Sequence, residues 1–221
     1  MNEETTTENS NEEVKSAETS IPEVYTLRGW KEYAGESLLI IFSVLLALIL
    51  TEFINNLHEK KQFNELLNNI RNELITNKKY AQEQYAYNKK VIRSIDSALT
   101  DPTIQRKIIN NDEFHLKYIA PQGVLYRFFD DVAWEQAKSL NISSKLNFKT
   151  ISLLSNIYAD QTRIMKVEDE IGKVVLSYEA RKPENAHITL MLIRDNYSAW
   201  AVDRAPTLIS SYDEAIKELE K

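Results

Sequence analysis

Ser37-Leu-Leu-Ile-Ile-Phe-Ser-Val-Leu-Leu-Ala-Leu-Ile-Leu-Thr51 is fifteen residues without a charge, bracketed by Glu36 and Glu52. As a helix the run covers about 22 Å, short of a hydrocarbon core of about 30 Å. Extending it to Gly35–Ile54 brings the helix to about 30 Å and sets both carboxylates near headgroup level, where a charge is tolerated. Trp30 and Tyr33 fit an interfacial aromatic belt on the N-terminal side, and Phe53 flanks the other end. A buried core helix is the competing reading. Such a helix normally keeps a polar face, and Ile40–Leu50 has none beyond Ser43. A signal peptide would open on basic residues, whereas this chain opens on acidic ones. The run therefore predicts a single membrane span at about 35–54 within an anchor at 28–56.

Outward from the span, the N-terminal side is acidic and polar. Residues 1–20 hold six Glu and one Lys, so −5 of the net −6 lies there and the rest of the chain is close to neutral. A tail of Glu, Thr, Asn and Ser cannot offset the entropy of ordering itself, so 1–27 is expected to be disordered. The near-neutral remainder speaks against a nucleic-acid partner. The positive-inside count is close to a tie, with Arg28 and Lys31 before the span and Lys60, Lys61 and Arg71 after it. Long domains translocate largely regardless of charge, and the C-terminal domain is expected on the extracytoplasmic side.

On the C-terminal side the pattern is helical throughout. No Gly or Pro occurs from Asn55 to Leu99, and Phe63, Leu67, Ile70 and Leu74 recur at spacings of three and four. The seam turns polar at Asn77, Gln84 and Asn88, with Ala81 among them, and resumes at Val91 or Ile92, Ile95 and Leu99. Polar seam residues disfavour a long coiled coil, so 57–101 is expected as a long amphipathic helix packed in a bundle. Asp101-Pro102 ends it. The remainder, 102–221, reads as further helices at about 103–110, 124–139, 146–180, 184–202 and 207–219. Pro121-Gln122-Gly123 forms a loop, and the 146–180 seam has a gap at Gln161. The apolar runs at 174–178 and 188–193 could pair as strands, but their surroundings favour helix. The predicted fold class is all-α.

The run GESLLIIFSVLLALILTEFINNLHE (35–59) resembles the anchor of a family of uncharacterised bacterial single-pass membrane proteins. That family places Gly-Glu before the apolar stretch and Asn-rich, Glu-ending residues after it. The segment AWEQAKSLNISSKLNFKTISLLSNIY (133–158) is similar to the part of that family that follows its charged helix. The sequence lacks the family's basic N-terminus and the Gly within its span. The resemblance implies membrane anchoring and a helical C-terminal domain, and no known activity.

Chemistry-bearing patterns are sparse. The chain has no Cys, three His and four Gly, and no phosphate-binding glycine motif. Glu184-x-x-His187 is half of a di-iron motif and Asp112-x-x-His115 a near miss of a second half; neither predicts a metal, and no cofactor is expected. Asp131 and Glu135, read on one helix face, are expected to be solvated, with Lys138 near enough to pair with Glu135. Tyr126, Phe128, Phe129 and Trp134 are candidate pocket or core aromatics, joined by Tyr118 near the Pro-Gly loop. Ser43, Ala47 and Thr51 recur every four residues and form a small-residue face on which two spans could approach closely; the Phe63–Leu74 seam beyond it lies about 120° round the helix, so a shared contact would have to pass gradually round it. The expectation is a non-enzymatic, membrane-anchored interaction or scaffold protein, with the bilayer, a second copy and a protein partner as its contacts. The alternative is a sensory or small-ligand-binding helical module.

Overall fold

The computed structural model describes residues 29–220, so the expected acidic tail lies outside the described residues. Helix α1 runs Trp30–Thr100, 71 residues with no Pro and one Gly near its start. Two compact units divide at this helix, one ending at Ile54 and the other beginning at Asn55.

In the first unit the large apolar side chains of α1, from Leu38 to Ile54, are all exposed. Among the described residues nothing covers them. One helix is thus long and apolar enough to cross a membrane. Ser43 and Thr51 donate their hydroxyls to the carbonyls of Ile40 and Ala47, both at 2.8 Å, so each is satisfied within its own helix.

The second unit is a helical bundle with one apolar core. Along α1 Leu66, Ile70, Leu74, Asn77, Ala81, Gln84, Asn88, Val91, Ile95 and Ala98 form a buried seam at spacings of three and four, with Tyr87 buried beside it. Leu66 rather than Leu67 begins this register, and Phe63 and Leu67 are half-buried. Ile70 and Leu74 are sealed in the chain's own core, so the expected continuation of a self-association seam through them is taken up internally.

Asp101 separates α1 from helix α2 (Pro102–Ile108) and caps it, its carboxylate accepting from the Thr103 N–H at 2.7 Å. That bond holds the Asp101 carboxyl below the usual carboxylate range. The chain then makes a feature absent from the all-helical reading, a minimal hairpin of β1 (Ile109–Asn110) and β2 (Glu113–Phe114). Its two turn residues, Asn111 and Asp112, both have positive φ, 51° and 58°, as a type I′ turn requires.

A second correction concerns 124–139. Only Val132–Ser139 is helical, as α3, with Asp131 at its N-cap rather than on its face. Residues 124–131 are irregular. Helix α4 (Phe148–Leu176) follows a short 3₁₀ turn and starts at Asn147, whose side chain accepts from the Thr150 N–H at 2.9 Å. It ends four residues earlier than the periodicity suggested, and two 3₁₀ turns carry the chain across Lys182-Pro183. Helix α5 (Ala186–Asn196) widens into a π-helical turn at Tyr197–Val202, and α6 (Ala205–Glu218) closes the bundle. The strand alternative for 174–178 and 188–193 does not hold, since both lie in helices or their caps.

Helix α4 packs against α5, α6 and the π-helical turn. Ion pairs Arg71–Glu220 and Lys78–Asp213, both at 2.5 Å, step forward along α1 and backward along the C-terminal segment, making α6 antiparallel to α1.

Candidate functional site

The irregular segment 121–131 explains the polar seam of α1. A stretch without secondary structure leaves its own N–H and C=O groups to be satisfied by something else. Here α1 supplies the partners. Gln84 Oε1 accepts from the N–H groups of both Tyr126 and Arg127 at 2.7 Å, while Gln84 Nε2 donates to Asn88 Oδ1 at 2.7 Å. Asn77 pairs with Asp130 in both directions, donating to its carbonyl at 2.6 Å and accepting from its N–H at 2.9 Å. The Tyr87 hydroxyl donates to the Gly123 carbonyl at 2.6 Å and accepts from the Gln122 N–H at 3.2 Å. Gly123 adopts φ 88°, which lets the strap turn there at little steric cost. The Arg127 guanidinium pairs with Glu83 and lies 4.4 Å from the Tyr126 ring centre.

Beside this strap, between α3 and α4, is a cleft of about 530 Å³ lined by Phe129, Asp131, Trp134, Glu135, Tyr158 and Gln161 among others. Trp134 and Tyr158 stack nearly parallel, 5.3 Å between ring centres at 3°. The Tyr158 hydroxyl donates to Glu73 Oε1 at 2.6 Å, and Glu73 Oε2 accepts from the Ala133 N–H at 2.8 Å. One α1 carboxylate thus joins the start of α3 to the middle of α4. Gln161, the gap in the α4 seam, is buried and donates to the Tyr212 hydroxyl at 2.7 Å. Burial, then the Glu73 carboxylate, pushes the Tyr158 phenol far up, so no phenolate is on hand at neutral pH. At the rim Glu135 pairs with Lys138 at 2.5 Å.

The candidate aromatics do not form one pocket. Phe129 and Trp134 are core residues that also line the cleft. Tyr126 is half-buried, its ring centre 5.7 Å from that of Tyr87, whereas Phe128 and Tyr118 are exposed. At the anchor, Trp30, Tyr33, Glu36, Ser43, Ala47, Thr51 and Glu52 are all exposed on α1. Glu184 and His187 are exposed, and His115 lies 3.2 Å from Asn110 Oδ1. Among the described residues no group of three or more His, Asp or Glu side chains could hold a metal ion.

Sequence reading missed the residues that organise the cleft: Glu73, Tyr158, Gln161 and Tyr212. A signal for the cleft existed in Gln161, a polar residue at seam spacing on α4, which in a folded bundle must find a buried partner.

What the described residues define is an all-α protein, with one minimal hairpin, carrying one helix long and apolar enough to span a bilayer. No family model matches it, and neither a curated protein nor a solved structure does.

Proposed function

We propose that the protein is a single-pass membrane protein whose helical bundle works by binding, as an accessory or scaffold module, without catalysis. The observation that carries this reading is the apolar surface from Leu38 to Ile54, exposed along its whole length among the described residues. Soluble proteins rarely leave so large a continuous apolar surface in water. The polar groups of the α3–α4 cleft support the non-catalytic half of the reading, because Glu73, Tyr158, Gln161 and Tyr212 are engaged with one another or with backbone. The reading includes membership of the single-pass family that residues 35–59 resemble, and an extracytoplasmic bundle. It also includes self-association through the Ser43/Ala47/Thr51 face, whose hydroxyls bond within their own helix and leave small surfaces for close approach.

The test is made on the full chain in native membranes. The protein is expected to resist alkaline carbonate extraction, and protease added to sealed right-side-out vesicles is expected to remove the bundle. Single Cys residues at 43 and 47 are expected to crosslink two copies. Full recovery in the soluble fraction would overturn the reading. The α3–α4 cleft favours the second reading, a small-ligand module; a bound ligand there would quench Trp134, and an unbiased metabolite screen that never changes its emission counts against it.

A further inference from the structure

Among the described residues, Phe148 is the most exposed large apolar side chain, at 85%. It is the first residue of α4, and the start of that helix is already fixed by Asn147, so the phenyl ring has no part in the cap. Leu140, just past the end of α3, is also exposed. The two flank the loop that joins these helices. Lys145 ties that loop to α1, its Nζ 2.7 Å from Glu59 Oε2, and Leu140, Asn141 and Ser144 face Gln62 and Phe63 across a shallow depression.

Glu59 lies five residues beyond Ile54 in sequence. Five residues reach at most about 17 Å extended, and about 7.5 Å as helix. The polar layer on each side of a bilayer is about 5–7 Å deep. If the span ends at Ile54, chain connectivity alone keeps the loop's tether at or near the lipid–water interface. An exposed Phe and an exposed Leu are the side chains that partition into that zone.

The local charges point to the same occupant. Lys145 is matched by Glu59, and Lys149 lies 3.0 Å from Glu218 and 3.9 Å from Glu214. A surface so balanced has little to offer anionic headgroups, and its distinguishing chemistry is apolar.

We infer that the α3–α4 loop is a second membrane contact, with Leu140 and Phe148 entering the headgroup–acyl boundary of the bilayer that holds the span. This rests on the membrane-anchored reading proposed above.

The test uses the full chain, which is free of Cys, reconstituted in phosphatidylcholine vesicles. Single Cys residues replace Phe148, Leu140, Leu45 in the span, or Ile188 on α5, an exposed apolar residue on a different part of the bundle. Each carries an environment-sensitive fluorophore. Labels at 148 and 140 are expected to be quenched by a shallow lipid-borne nitroxide and to be several-fold less accessible to iodide than the label at 188. Adding anionic lipid is expected to change little. If 148 is as accessible as 188 while 45 is quenched by lipid, the loop inference is overturned and the anchor stands. If 45 is not quenched, the anchor reading fails and takes this inference with it. Protection at 148 that disappears when the protein is diluted with excess lipid assigns the surface to a second copy and also overturns the inference. As an independent readout, Phe148→Asp alters a side chain outside the core and leaves the fold intact. It is expected to speed tryptic cleavage at Lys145 and Lys149 several-fold in vesicles but not in detergent; equal rates in vesicles would count against the contact.

Discussion

The two halves of α1 invert the usual rule about what a folded chain hides. Up to Ile54 its leucines, isoleucines and phenylalanines are exposed, whereas further on Asn77, Gln84 and Asn88 are buried to 2% exposure or less. The apolar half has no partner among the described residues. The polar half has partners whose needs fit it, because an irregular strap presents backbone groups that its hydrogen-bonding side chains satisfy. Burial follows the partner available and not polarity alone.

The largest effect is expected where the apolar half is broken. Arg at both Leu45 and Leu48 costs roughly 3 kcal/mol per residue for insertion, about 6 kcal/mol in all. The doubly substituted chain is expected to leave the carbonate-resistant pellet, as fractionation would show. If it remains there, the span is not what holds the protein to membranes.

Alkaline pH attacks the other half. Burial first, then neighbouring groups, holds the phenols of Tyr158 and Tyr197 well above their ordinary range; burial does the same for Tyr212, against the lowering effect of its bond from Gln161. The native state keeps protons that the unfolded chain releases near pH 10, so stability present below that pH is lost as the pH rises above it. Three such groups remove about 4 kcal/mol by about pH 11. Denaturant midpoints of the solubilised protein at rising pH are expected to fall accordingly, with a further rise in tyrosinate absorbance as the buried phenols are exposed, while in membranes the span still holds the chain in the pellet. A flat midpoint would show that these phenols reach water.

Removing a single seam amide sharpens the comparison further. Gln84→Leu fits the apolar core in size but strands the N–H groups of Tyr126 and Arg127, for a loss of about 3 kcal/mol in the urea unfolding free energy. If the variant is as stable as the parent, water can serve the strap and the polar seam is not what retains it. The smallest effect separates two adjacent rings of that strap. Phe128→Ala is expected to change stability by less than about 0.5 kcal/mol, because the ring is 54% exposed. Phe129→Ala, at a buried ring, is expected to cost about 3 kcal/mol by the same measurement.

The sequence by itself determined the apolar run, the helical periodicity of α1, α4 and α6, and the breaks at Asp101-Pro102 and Lys182-Pro183. Each is a local property: uninterrupted apolarity, a 3.6-residue period, or the exclusion of helical geometry before proline. Tertiary structure decided the rest. Residues 124–131 carry a pattern compatible with helix, yet they are irregular because Asn77, Gln84 and Tyr87 on a helix more than thirty residues away bind their backbone in an open form. The hairpin at 109–114 depends on two residues at positive φ, a choice that the surrounding helical pattern concealed. The cleft likewise joins Glu73, Trp134 and Tyr158 from three elements. Spacing along a chain reports which face a residue occupies on its own helix; which backbone will meet that face depends on the fold as a whole.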